Sequence, residues 1–149
     1  MRLPLVPHVD RQAVHKTGRH LGGNRVHEFE MRIQGASYMQ IMAAGGGIVS
    51  TMRHTREASE AELIESARKR LDKMLSLGST TVEIKTGYGL DTATELKMLR
   101  VIEQLDLSHP CTLIPTFLGA HTLPPEYKNN AAGYLELIIS QMIPAVAAW

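Results

Sequence analysis

The 149 residues contain one cysteine, Cys111, which excludes an internal disulfide and a cysteine-rich zinc module and makes the cytoplasm the expected compartment. No apolar run approaches the roughly 20 residues that a membrane span needs. The opening Met1-Arg2-Leu3-Pro4 also lacks the apolar core of a signal peptide. A soluble, unexported chain with no membrane partner is expected. The net charge is +1 and aromatic residues make up 5%, a balance that argues against a general nucleic-acid binder.

What is present is globular in character: 44% hydrophobic, 21% charged, and long enough for one domain. The average conceals an asymmetry. Residues 1–25 hold Arg2, Arg11, Lys16, Arg19 and Arg25 against the single acid Asp10, whereas the remainder is net acidic. The first 21 residues are also crowded with Arg, His and Pro and show no sustained helical or strand period. We expect them to be a separate, poorly ordered segment. A basic arm for nucleic acid or acidic lipid is the other reading, but so dilute a charge with little aromatic content is a weak footprint.

From Ser59 to Leu77 the residues Leu63, Ile64, Ala67, Leu71, Met74 and Leu75 recur on one helical face. Ser59 and Glu62 stand in capping-box register, and Gly78 is placed to end the helix. Thr80-Thr81-Val82-Glu83-Ile84 is then short and β-branched, as a buried strand should be. Thr92 with Glu95 three residues on predicts a second capped helix over about 92–106. A second strand is expected over 112–118, although Pro115 counts against it, and a third helix from about Ala131 to Met142. On that helix Leu135, Ile138, Ile139 and Met142 are expected to face inward, with Pro144 bending or ending it. Tyr38 to Ala44 reads as a short helix with Met39 and Met42 as packing residues, and Gly45-Gly46-Gly47 as a flexible loop. No Gly-Lys-Ser/Thr follows those glycines, so they are not a Walker loop.

Alternating helices and strands imply a parallel sheet with crossovers, and the class is α/β. Two strands alone leave both sheet edges and much of the helices' apolar surface without partners, so the chain reads as part of a larger fold. A closed (β/α)₈ barrel takes about 250 residues, and 149 would supply less than half of one with inserted loops.

In parallel α/β folds ligands gather at the carboxyl ends of the strands. After the first strand, Gly87-Tyr88-Gly89 permits a tight turn that presents the Tyr88 ring and hydroxyl; a plain strand-to-helix turn is the alternative. After the second, Gly119-Ala120-His121 places an imidazole where a ligand, proton carrier or metal would use it, although a lone histidine is more often structural. Upstream, Gly22-Gly23-Asn24-Arg25 would let a guanidinium grip a carboxylate, or leave Arg25 as a surface residue.

Taken in order, Gly22-Gly23-Asn24-Arg25, Glu28-Phe29-Glu30-Met31-Arg32, Gln34-Gly35-Ala36-Ser37-Tyr38, Ala44-Gly45-Gly46-Gly47-Ile48, Lys85-Thr86-Gly87-Tyr88-Gly89-Leu90 and the run from Gly119 to Tyr127 resemble the imidazolonepropionases. The resemblance covers about residues 22–147. It implies the amidohydrolase superfamily, a metal site in a (β/α)₈ barrel, and hydrolysis of 4-imidazolone-5-propanoate to N-formimino-L-glutamate in histidine breakdown. A metal-bound hydroxide, on zinc or iron, would attack the ring carbonyl and break the cyclic amide C–N bond. The resemblance further implies that Arg25 holds the substrate's carboxylate, that Tyr88 bonds to it or packs on it, and that His121 contacts the ring near the reacting centre.

One departure stands out. The family carries Asp-x-His-x-His shortly before its Gly-Gly-x-Arg segment, and the two histidines bind the metal. Counting back from Arg25 puts Lys16 and Gly18 there, and neither is a ligand. The remaining ligands and acid/base residues of the family come from later strands. Bound metal lowers the pKa of water from about 15.7 to about 7, so its loss cuts the ionised fraction by roughly eight orders of magnitude. The expectation is therefore an internal piece, residues 22–149 forming early β/α units of a partial barrel behind a non-family segment 1–21, inactive by itself. A frameshift would account for that segment. The alternatives are a non-catalytic remnant, a small-molecule-binding fragment, or half of a split enzyme served by a complementing chain; a homo-oligomer is also open.

Overall fold

The computed structural model of the chain describes residues 26–149. The segment 1–21, Arg25, and the positions of Lys16 and Gly18 lie outside the described residues. Helices α1 (Val26–Ile33), α2 (Tyr38–Ala43), α3 (Gly47–Glu57) and α4 (Glu60–Ser76) precede strand β1 (Thr81–Lys85). Helix α5 (Thr92–Ser108) and strand β2 (Thr112–Thr116) follow. A single-turn 3₁₀ helix, Pro125–Tyr127, leads to α6 (Ala131–Leu137), a π-helical turn Ile138–Met142 and α7 (Ile143–Ala147).

Helix α4 begins as its sequence dictates. The Glu62 amide donates to Ser59 Oγ at 3.3 Å, and the Ser59 amide donates back to Glu62 Oε2 at 2.8 Å, which together satisfy two of the amides left open at a helix start. The Ser59 amide first, and the Ser59 hydroxyl donating to the same Oε2 at 2.8 Å second, hold the Glu62 carboxyl below the usual carboxylate range. At the far end Gly78 adopts φ 94°, a conformation that costs glycine little.

Strands β1 and β2 pair in parallel, with Thr81 opposite Thr112 and Lys85 opposite Thr116. Pro115 fits this sheet because of alternation. The Thr112 amide donates to Thr80 O across the ladder, while the Leu113 amide points away and donates to Asp106 Oδ1 at 2.7 Å. Pro115 shares the parity of Leu113, so its missing N–H removes no bond to β1.

The main core lies between α4, α5 and the sheet. Leu63, Ala67 and Leu71 of α4 meet Met98, Val101, Ile102 and Leu105 of α5, Val82, Cys111 and Leu113. Each fully buried aliphatic side chain contributes about 1.5–3 kcal/mol relative to exposure. Burial first, and Asp72 second, push the Cys111 thiol up, as suits a packed rather than a reactive cysteine. A second core joins Met52, Leu90, Tyr134, Ile138 and Met142.

Several expectations need correction. The α5 N-cap is Asp91, whose Oδ1 accepts from the Thr94 amide at 2.8 Å, and not Thr92. Gly45 and Gly46 form the connection after α2 as expected, but Gly47 belongs to α3: Gly46 is its N-cap, Gly47 opens it, and the Gly47 amide donates to Glu28 Oε1 at 2.9 Å. Helices α1 and α3 were not read from the sequence, although Val26, Phe29 and Ile33 of α1 and Ile48, Met52 and Thr55 of α3 stand three, four and seven apart as on one helical face. Met39 is largely exposed, not packed. Leu135 and Ile139, expected inward, are each 54% exposed, because Tyr134, Ile138 and Met142 form the buried stripe instead. The helix neither ends nor stops short at Pro144; it widens through the π turn just before the proline and continues to Ala147. The sheet is two-stranded, and the described residues do not close a barrel. No described helix is long and apolar enough to cross a membrane.

Candidate functional site

Parallel pairing puts the residues after β1 and those after β2 at one edge of the sheet. The Thr86 amide donates to Thr116 O at 2.9 Å, and the Leu118 amide donates to Thr86 Oγ1 at 3.0 Å, so the two loops leave the sheet stitched together. Gly87, at φ 88°, lies where a Cβ would stand 2.3 Å from Leu118 O and 2.9 Å from His121 Cβ. Only glycine allows this approach.

The approach brings Tyr88 and His121 together. Their rings meet edge to face, with centroids 4.9 Å apart and planes at 89°. His121 Nδ1 is 3.0 Å from Gly87 O. A carbonyl only accepts, so this bond places the proton on Nδ1 and directs the Nε2 lone pair of the neutral ring to other partners. The pair thus offers an aromatic edge, a phenol and an imidazole acceptor at one place. Arg25, the third predicted site residue, lies outside the described residues.

Two groups that sequence reasoning missed build this edge. Glu95, 1% exposed, accepts from the Gly87 amide at 2.7 Å through Oε2 and from the Gly89 and Leu90 amides at 2.9 Å each through Oε1. Its place three residues after Thr92 disguised it as a capping residue. Arg56, from α3, donates from Nε to Gly89 O at 2.7 Å, pairs with Asp91 Oδ2 at 3.0 Å, and reaches Glu126 beyond His121. Its hydrogen bond holds the Glu126 carboxyl below the usual range. Residues 56 and 126 are too far apart in the chain for spacing to have paired them. Beneath the second loop, Tyr134 donates its hydroxyl to Gly119 O at 2.6 Å.

A metal does not fit what is described. Among the described residues no group of three or more His, Cys, Asp and Glu is placed to hold an ion. The buried His109 is structural: it bonds Asp72 Oδ1 at 3.2 Å and accepts the Cys111 amide at 3.1 Å, just before the opposite, amino-terminal end of β2.

No protein-family model matches the chain. Curated relatives do match. The chain is 58% identical over 127 residues to the imidazolonepropionase of Herpetosiphon aurantiacus, a match covering 85% of this chain and 30% of that protein. It is 60% identical over 126 residues to the imidazolonepropionase of Shewanella woodyi and 59% identical over 126 residues to that of Shewanella baltica. Each of those matches covers 85% of this chain and 31% of the relative. A match of 127 residues within 149 includes Tyr88 and His121 wherever it begins. The chain spans about 30% of the length of the curated relatives it matches, and at this identity it is a partial relative of the imidazolonepropionases.

Proposed function

We propose that the chain carries a substrate-holding part of an imidazolonepropionase, the hydrolase of histidine degradation that opens the cyclic amide of 4-imidazolone-5-propanoate to N-formimino-L-glutamate. The observation that carries this reading is the 58–60% identity to proteins of that name across the two loops that bring Tyr88 and His121 together. In this reading Tyr88 packs on the substrate ring or bonds to it, His121 offers its Nε2 to the ring near the reacting centre, and Arg25 grips the propanoate. The complete enzyme is proposed to be a cytoplasmic (β/α)₈ barrel using zinc or iron.

No cluster among the described residues suits that metal. Their part is to bind and orient the substrate. The described residues by themselves are therefore proposed to be inactive, the metal ligands and acid/base groups being supplied by parts of the enzyme outside them.

Calorimetric titration of the purified chain with 4-imidazolone-5-propanoate tests this. Saturable binding at one site, weakened by Tyr88→Phe and by His121→Ala, is expected, with no formiminoglutamate formed. A folded chain that fails to bind overturns the substrate assignment, and turnover by the pure chain overturns its inactivity.

A further inference from the structure

We propose that Glu95 and Arg56 are positioning residues for substrate binding: between them they set the backbone that places Tyr88 against His121. The inference rests on the reading of those two side chains as substrate contacts.

A carboxylate withdrawn from water is costly unless donors replace its hydration. Glu95 receives three, all from the loop between β1 and α5, and they arrive on both oxygens. The loop is thereby wrapped around one anion. Leu90 is held at φ 60°, a left-handed conformation that a non-glycine side chain adopts only under constraint. The helix does not need Glu95 for its own start, because Asp91 already caps it. From the other side Arg56 takes the Gly89 carbonyl, Asp91 and Glu126, and so ties the Tyr88 loop to the loop beyond His121. Arg56 is itself anchored, since Lys97 Nζ donates to Arg56 O at 3.0 Å and to Ala58 O at 2.7 Å.

The chemistry of the clamp predicts which substitutions break it. In Glu95→Gln, one oxygen still accepts, but the amide NH₂ faces a backbone donor and cannot accept from it. Arg56→Lys keeps the charge but loses the planar fork that serves Gly89 O and two carboxylates together. Both variants preserve side-chain volume.

The test uses the full chain and imidazole-4-propanoate, a stable molecule with a related ring and the propanoate of the proposed substrate. Proton NMR reads the ring-current displacement of the Tyr88 and His121 ring protons, and titration reads affinity, with far-UV circular dichroism confirming retained helix. Glu95→Gln is expected to collapse the ring-current displacement and weaken binding about tenfold or more. Arg56→Lys, further from the core, is expected to do so partially, and it decides the matter if Glu95→Gln fails to fold. Unchanged ring shifts and affinity in a folded variant would overturn the proposal. Collapse of the ring signature in a chain whose wild type never binds imidazole-4-propanoate would support the positioning role and count instead against the substrate reading.

Discussion

The Tyr134 hydroxyl donates to the Gly119 carbonyl at 2.6 Å, and this one bond joins the last helical run to the turn that carries His121. Tyr134 also packs on Tyr127, with ring centroids 5.3 Å apart, so the aromatic column under the second loop has a polar tip with a fixed partner.

Tyr134→Phe removes the donor and leaves a buried carbonyl without its partner, at a cost of about 1–3 kcal/mol in urea unfolding. Burial first, and the Glu95 carboxylate second, push the phenol far above its ordinary 10.0. The folded chain then keeps a proton that the unfolded chain releases. The associated stability is complete below about pH 10 and is lost as pH rises above it. Wild-type stability should fall more steeply than that of Tyr134→Phe in this alkaline range; parallel curves would show that the phenol is not withdrawn from water.

Gly87 and Gly35 make a controlled pair. Both have φ near 90°, but an added methyl at Gly35 meets nothing within 4 Å, whereas at Gly87 it strikes Leu118 O. Gly35→Ala should cost about 1–2 kcal/mol for the backbone alone, and Gly87→Ala about 1–3 kcal/mol more for the collision. Thermal unfolding of the two variants measures the difference, and equal losses would mean that the two loops do not touch.

Leu105 and Leu107 separate the faces of α5. Leu105 is fully buried and Leu107 is 81% exposed. Leu105→Ala should lose about 2–5 kcal/mol through the cavity it leaves, and Leu107→Ala no more than about 0.5 kcal/mol. A reversed order in denaturant midpoints would place the helix on the wrong face.

The chain loaded with zinc and then dialysed should retain well under one equivalent by elemental analysis, since the described residues contain no group of three or more His, Cys, Asp and Glu placed to hold an ion. Retention of a full equivalent would overturn this.

Local signals carried much of the fold. The Ser59–Glu62 box, the stripe from Leu63 to Leu71 and the β-branched run before Lys85 act over a few residues, so their outcome was visible in the chain itself. Ile138 and Met142 face inward as expected, but Tyr134 in the same stripe was missed because its partner, the Gly119 carbonyl, lies fifteen residues upstream.

By itself the sequence determined the parallel β1–α5–β2 unit and singled out Tyr88 and His121, because helix and strand periods and the residues that end them are short-range properties. That the two rings meet, that Glu95 serves a loop and not its own helix, and that Arg56 bridges to Glu126 were decided only by tertiary structure. The physical reason is that strand register and buried hydrogen bonding join groups far apart in the chain, and the direction of a side chain is settled by the donors that surround it once water is gone.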